Sequence, residues 1–145
     1  MELENKIIVI TGAGSGIGRA LAIRFKAEGA RQIVTVDINA ENAQATADMI
    51  GGVAMTADVS NEDDILRVIE DTEAQIGPID LFCSNAGVAM GPDLNAPNSH
   101  WQISWDINLM SHVYAARHLV PRMVVRGGGY FLNTASAAGL LNQVG

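Results

Sequence analysis

Lys6-Ile7-Ile8-Val9-Ile10-Thr11-Gly12-Ala13-Gly14-Ser15-Gly16-Ile17-Gly18 decides the architecture. Its first six residues are a short, continuous β-branched run, the composition of a strand buried on both faces. Four glycines follow at once. From about Ser15 to Glu28 the apolar residues Ile17, Leu21, Ala22 and Phe25 recur at helical spacing, and Gly29 supplies a left-handed stop. A strand, a tight glycine turn and a helix N-terminus converge main-chain N–H groups on one point, a setting suited to a diphosphate.

The alternation continues outward from this unit. Ile33–Asp37 reads as a second strand, Asn39 as the cap of a helix reaching Ile50, and Gly51-Gly52 as its end. A third strand covers Val53–Ala57. Ser60 with Asp63 three residues on resembles a capping box, opening a helix marked by Ile65, Val68, Ile69 and Ile76 and stopped by Gly77-Pro78. Ile79–Ser84 is the fourth strand, and residues 88–99, with two prolines, are a loop. A long helix is expected from about His100 to Arg126, bent by Pro121 and ended by three glycines, before a fifth strand at Tyr130–Thr134. Strands alternating with helices imply a doubly wound α/β fold: a parallel sheet with right-handed crossovers and helices on both faces.

Composition narrows the partners. The 145 residues are 48% hydrophobic, which argues against disorder, and no apolar run reaches the length of a membrane span. The acidic start lacks the basic and apolar regions of a secretory signal, and the lone Cys83 has no disulfide partner within the chain, so a cytoplasmic protein is expected. A net charge of −7 disfavours nucleic acid, whose phosphates require a cationic face. Residues 81–145 hold only five charged side chains, Asp93, Asp106, Arg117, Arg122 and Arg126, so much of this half belongs in a core, a ligand site or a subunit contact.

The glycine spacing is informative in its departures. G-x-G-x-x-G fails, because Ile17 and Arg19 stand where a third glycine is required, and no Gly-Lys pair exists for a P-loop. Asp37 closes the second strand, where an acid is placed to accept hydrogen bonds from ribose hydroxyls; a turn or capping aspartate is the plainer alternative. A carboxylate there repels a 2′-phosphate, and the neighbours Ser15 and Ile38 offer no cation to hold one, which favours NAD over NADP.

Thr11-Gly12 through Gly16 and Gly18 resembles the T-G-x-x-x-G-x-G cofactor loop of the short-chain dehydrogenase/reductase family, in which Ser15 and Ile17 also face the cofactor. The resemblance extends along nearly the whole chain and implies a Rossmann-type sheet of order 3-2-1-4-5 in a single dinucleotide-binding domain over 1–145. Asp58-Val59 matches the pair around the adenine, and Asn85-Ala86-Gly87 matches the N-A-G beside the adenosine ribose. Asn108, within Trp105–Leu109, resembles the family's helix asparagine that holds a water in the proton relay, and Ser136, within Asn133–Gly139, resembles its catalytic serine. The resemblance implies an NAD-dependent oxidoreductase moving a hydride between the nicotinamide and a secondary alcohol or its ketone, in a homodimer or homotetramer, without a metal.

One departure is plain. The family's Tyr-x-x-x-Lys pair follows the serine by about a dozen residues, and neither Tyr114 nor Tyr130 forms it with Lys6 or Lys26. The sequence therefore reads as the amino-terminal part of a longer enzyme, inactive by itself. The alternative is a noncatalytic NAD-binding or regulatory module. A methyltransferase shares the acid after the second strand but leaves Asn85-Ala86-Gly87 and Ser136 unexplained. Cys83 reads as a packed thiol, the histidines as surface or interface residues, and Trp101, Trp105 and Tyr114 as packing at helical spacing.

Overall fold

Ile7–Thr11 (β1) is buried at every position, the outcome its β-branched sequence dictates. A computed structural model describes residues 1–90 and 95–140. In it β1 pairs in parallel with β2 (Gln32–Asp37) on one side and β4 (Leu81–Ser84) on the other; β3 (Val53–Thr56) lies outside β2 and β5 (Tyr130–Asn133) outside β4. The order 3-2-1-4-5 is the one expected from the sequence. Alternate residues of β1 serve opposite faces. Val9 packs with Val34, Val36 and Phe82 against Ile65, Val68 and Ile69 of α3 (Glu62–Gln75) and Ala115, Leu119 and Met123 of α5 (Ser111–Val125). Ile8 and Ile10 pack with Ile33 and Cys83 against Ala22 of α1 (Gly16–Ala27) and Ile50 of α2 (Ala40–Ile50). Among the described residues no helix is long and apolar enough to cross a membrane.

Most boundaries fall within two residues of expectation, the ordinary uncertainty of helix and strand ends. Asn39 caps α2 as expected, its Oδ1 accepting from the Asn42 N–H at 2.9 Å, and Gly51 ends that helix in the left-handed region at φ 62°. The cap of α3 differs. Asn61, not Ser60, accepts from the Asp63 N–H at 3.0 Å, because the Ser60 hydroxyl is drawn back to Asp58 Oδ1 at 2.7 Å.

The long helix expected over 100–126 is two helices. Asn98–Trp105 (α4) passes into a π turn at Asp106–Met110 before α5 begins. Two side-chain bonds accompany the widened turn: Ser111 Oγ donates to the Ile107 carbonyl at 2.6 Å, and the Asn108 side chain reaches the backbone of Val88. Pro121 lies inside α5, and the α-helical pattern is interrupted at the π turn instead. Tyr114 turns inward against the core, whereas Trp101 and Trp105 remain 64% and 56% exposed. Residues 91–94 of the loop expected over 88–99 lie outside the described residues.

Helices α3 and α5 also meet through charge. Arg117 pairs with both oxygens of Glu62, Arg122 with Glu70 and Glu73, and Arg126 with Glu73. All three cations of the charge-poor half are thus directed at one acidic helix.

Candidate active site

The C-terminal ends of β1, β2, β4 and β5 border a cleft of about 410 Å³. In parallel α/β sheets this is the edge at which ligands bind. All twelve residues expected from sequence to meet a cofactor line it: Gly12, Ser15, Gly16, Ile17, Gly18, Asp37, Ile38, Asp58, Val59, Asn85, Ala86 and Gly87.

The glycine turn is built by close approach. Gly12 has φ +65°, and a Cβ there would lie 2.8 Å from the Ala86 Cα, so the first turn and the Asn85–Gly87 turn pack backbone against backbone. A Cβ on Gly18 would overlap the Gly12 carbonyl, which fixes the first coil of α1 against the end of β1. Ser15, the N-cap of α1, is extended and makes no capping bond with its side chain, leaving the first amides of the helix uncapped by it.

Thr11 ties the two turns together. Its hydroxyl accepts from the N–H groups of Asn85 and Ala86 at 3.0 and 3.1 Å and donates to the Cys83 carbonyl at 3.4 Å, filling the capacity of a hydroxyl. Asn85 continues the link, donating through Nδ2 to the Thr11 carbonyl and accepting at Oδ1 from the Thr134 hydroxyl, both near 3 Å. The Asn85 side chain therefore bolts the ends of β1, β4 and β5 together, and what it offers the cleft is geometry.

Two carboxylates mark the far end. Asp37 accepts the Gly14 N–H at Oδ2 (2.9 Å) and the Asn39 N–H at Oδ1 (3.0 Å), so the turn role weighed from sequence is real. It does not exhaust the group, since an ionised carboxylate has about four acceptor sites. Asp58 is held by Ser60 through Oδ1, and its own N–H donates to Asp64 Oδ2 at 2.9 Å. Arg67 and this N–H together hold the Asp64 carboxyl below its usual value of 3.8. Arg19, the cation that α1 carries beside the loop, is bonded to the Gly14 carbonyl and, through Nε, to Thr46 Oγ1 at 3.0 Å.

The two expected catalytic residues stand differently. Asn108 is not among the lining residues but is bonded to Val88, which is, with Oδ1 accepting from the Val88 N–H at 2.8 Å and Nδ2 donating to the Val88 carbonyl at 2.9 Å. Ser136 is exposed beyond β5 and is not among the lining residues. Sequence reasoning missed Ala57, Val88, Ile107 and Thr134, which line the cleft, and Thr11, which shapes it. Thr134 and Ile107 sit beside motif residues already singled out; their neighbours were the available signal. Cys83 lies beneath, its thiol pushed up to about 12 by burial.

The arrangement suits an elongated ligand: converging amides for an anion, carboxylates for hydroxyl or amine donors, and apolar walls from Ile17, Val59 and Ile107. The chain is similar to known proteins. A cyclohexanol dehydrogenase of Acinetobacter sp. (strain SE19) is 36% identical over 152 residues, covering 97% of this chain and 58% of that protein. A 7α-hydroxysteroid dehydrogenase solved with NADH and 7-oxo glycochenodeoxycholic acid superposes with a TM-score of 0.90 at 31% identity, covering 99% of this chain and 58% of that one. A Burkholderia phymatum short chain dehydrogenase/reductase in complex with NAD gives a TM-score of 0.93 at 29% identity, covering 99% and 53%. The chain spans about half the length of the curated relatives it matches. With the short chain dehydrogenase family model matching residues 6–145, and with that fold and cleft, the chain belongs to the short chain dehydrogenase family.

Proposed function

We propose that the protein is an NAD-dependent oxidoreductase that interconverts a secondary alcohol and its ketone, preferring NAD to NADP. The observation that carries this reading is the gathering of the glycine turn, Asp37 and Asp58 along one cleft. The residues fit a dinucleotide. A turn packed so closely that a Cβ at Gly12 or Gly18 would strike backbone lets main-chain N–H groups approach a diphosphate. Asp37 accepts from the adenosine ribose hydroxyls, Asp58 from the adenine amine, and Val59 packs on the ring. Arg19 is bonded to the Gly14 carbonyl and Thr46, and the Asp37 carboxylate repels a 2′-phosphate.

A bound nicotinamide supplies the hydride acceptor or donor. Ser136 hydrogen-bonds the substrate oxygen and orients it. Asn108 serves the water of the proton relay; its side-chain amide makes one bond at each end to Val88, which holds it in place and leaves a second N–H and a second lone pair. Neither residue is a base at neutral pH, and general acid–base help is typically worth about 10²–10⁴-fold. The 145 residues alone are therefore proposed to turn over no alcohol. The protein is further proposed to be a cytoplasmic homodimer or homotetramer acting on a small alcohol or carbonyl compound, a class supported by the cyclohexanol and hydroxysteroid dehydrogenases among its relatives.

Calorimetric titration with NAD and NADP, followed by absorbance of the reduced nicotinamide over a panel of secondary alcohols, tests the reading. Tighter binding of NAD and turnover by the full-length protein support it. Tighter binding of NADP, or equal turnover by residues 1–145, overturns the corresponding part.

A further inference from the structure

The turn between β3 and α3 is more heavily braced than a connection of its length requires. Asp58 lines the cleft, whereas Ser60 and Asp64 do not, yet both are bonded to it. Ser60 engages one carboxylate oxygen twice, its N–H donating to Asp58 Oδ1 at 2.9 Å and its hydroxyl to the same atom at 2.7 Å. That leaves Oδ2 as the oxygen Ser60 does not engage. Asp64 fixes the main chain of the same residue by accepting the Asp58 N–H at Oδ2. Asp64 is itself held through Oδ1 by Arg67 Nη2 at 2.9 Å, and that nitrogen also donates to the Thr56 carbonyl, the last residue of β3, at 2.9 Å. Backbone and side chain of Asp58 are thus held by different residues, the N–H by Asp64 and the carboxylate by Ser60.

We propose that Ser60 and Asp64 are positioning residues that aim Asp58 Oδ2 at the base of the bound dinucleotide and make this end of the cleft selective for a ring bearing an exocyclic amine. The inference rests on the dinucleotide reading above. A carboxylate oxygen can only accept, so it rewards an amine and opposes a carbonyl oxygen at the same ring position. The strength of that choice depends on direction. A carboxylate free to rotate swings away from an unfavourable partner and discriminates little, whereas one with an oxygen held by two bonds and its main chain held by a third resists that swing.

The test compares NAD with nicotinamide hypoxanthine dinucleotide, in which a carbonyl oxygen replaces the amine and the adjoining N1 carries a hydrogen. Binding to the full-length protein is measured by calorimetry. The unaltered protein is expected to favour NAD about tenfold, the scale of one lost hydrogen bond plus an opposed pair of acceptors. Ser60→Ala and Asp64→Ala should each narrow the ratio to about twofold, mainly by weakening NAD, and Ser60→Thr should restore it. A purely structural role would weaken both dinucleotides by the same factor and leave the ratio intact. That result in the two alanine variants overturns the proposal while leaving the dinucleotide reading standing. Failure of either dinucleotide to bind the unaltered protein overturns both. Should one alanine variant unfold, the other and Ser60→Thr decide by the same ratio.

Discussion

Both ends of the Asn108 side-chain amide are bonded to the backbone of one residue, Val88, twenty positions earlier in the chain. The π turn that carries Asn108 is thereby fastened to the segment leaving β4, beside Gly87.

Replacing Asn108 by Ala removes both bonds and leaves the Val88 groups to water. Each such bond is worth about 0.5–1.5 kcal/mol net, so stability should fall by about 1–3 kcal/mol in denaturant titration. An unchanged unfolding midpoint would show that the π turn is held by something else.

The glycines of the first turn should respond in graded fashion. Gly12→Ala combines a positive φ with a Cβ 2.8 Å from the Ala86 Cα, and Gly18→Ala drives a methyl into the Gly12 carbonyl. Overpacking costs about 1–3 kcal/mol, and the left-handed conformation adds about 1–2 at Gly12. Gly16→Ala meets nothing within 4 Å and carries only the strain of φ +49°. Thermal unfolding should rank Gly12 and Gly18 well above Gly16, and equal losses at all three would refute the contact argument.

Cofactor choice should follow Asp37. Asp37→Ala combined with Ile38→Arg removes the opposing charge and supplies a cation at an exposed position. The ratio of NADP to NAD affinity should rise more than tenfold, about 1.4 kcal/mol. Retention of the original ratio would place discrimination elsewhere.

Acid should loosen α3 from α5. Arg117 and the adjoining His118 hold the Glu62 carboxyl below its ordinary value of 4.5, and Arg67 with the Asp58 N–H does the same for Asp64. The folded state therefore binds fewer protons than the unfolded one in this range. The stabilisation is complete above the unfolded values and is lost as pH falls through the lowered ones. Circular dichroism should show stability declining below about pH 4.5, the usual carboxylate range, with a shallower decline in Glu62→Gln.

Oligomerisation should bury the tryptophan face of α4. Trp101 and Trp105 are largely exposed, and Val113 of α5 is 37% exposed. Light scattering of the full-length protein at micromolar concentration is expected to give a dimer or tetramer mass, reduced by Trp105→Lys. A monomer mass for the unaltered protein would leave this face simply solvated.

Local pattern carried most of the cleft because its residues cluster at strand ends, where β-branched runs stop and glycine, Asp or Asn begins. What escaped it are bonds between distant segments. The π turn is tied to Val88 by a bond that no periodicity within 100–126 encodes. Ser60 and Asn61 are adjacent, equally suitable caps, and only the side chain of Asp58 decides between them. Thr134 looks like an ordinary strand residue, and Thr11 like the opening of the glycine motif, until Asn85 at the end of β4 is set beside them. The charge gap after residue 80 was visible, but its meaning was only partly so: Arg117, Arg122 and Arg126 face α3 across about fifty positions of sequence.

The central position of β1 bears on synthesis. Ile7 donates its N–H to the side chain of Asp80, 73 positions later, and Ile8 stands opposite Leu81. During synthesis β1 thus acquires its second neighbour late, and at roughly 5–20 residues per second the wait is about 4–15 s. Throughout that interval an apolar edge running from Ile7 to Ile10 is open to any other extended segment. Nascent chains of this protein are accordingly at their most vulnerable before β4 emerges, and ribosome-bound lengths just short of Leu81 are where chaperone association should peak.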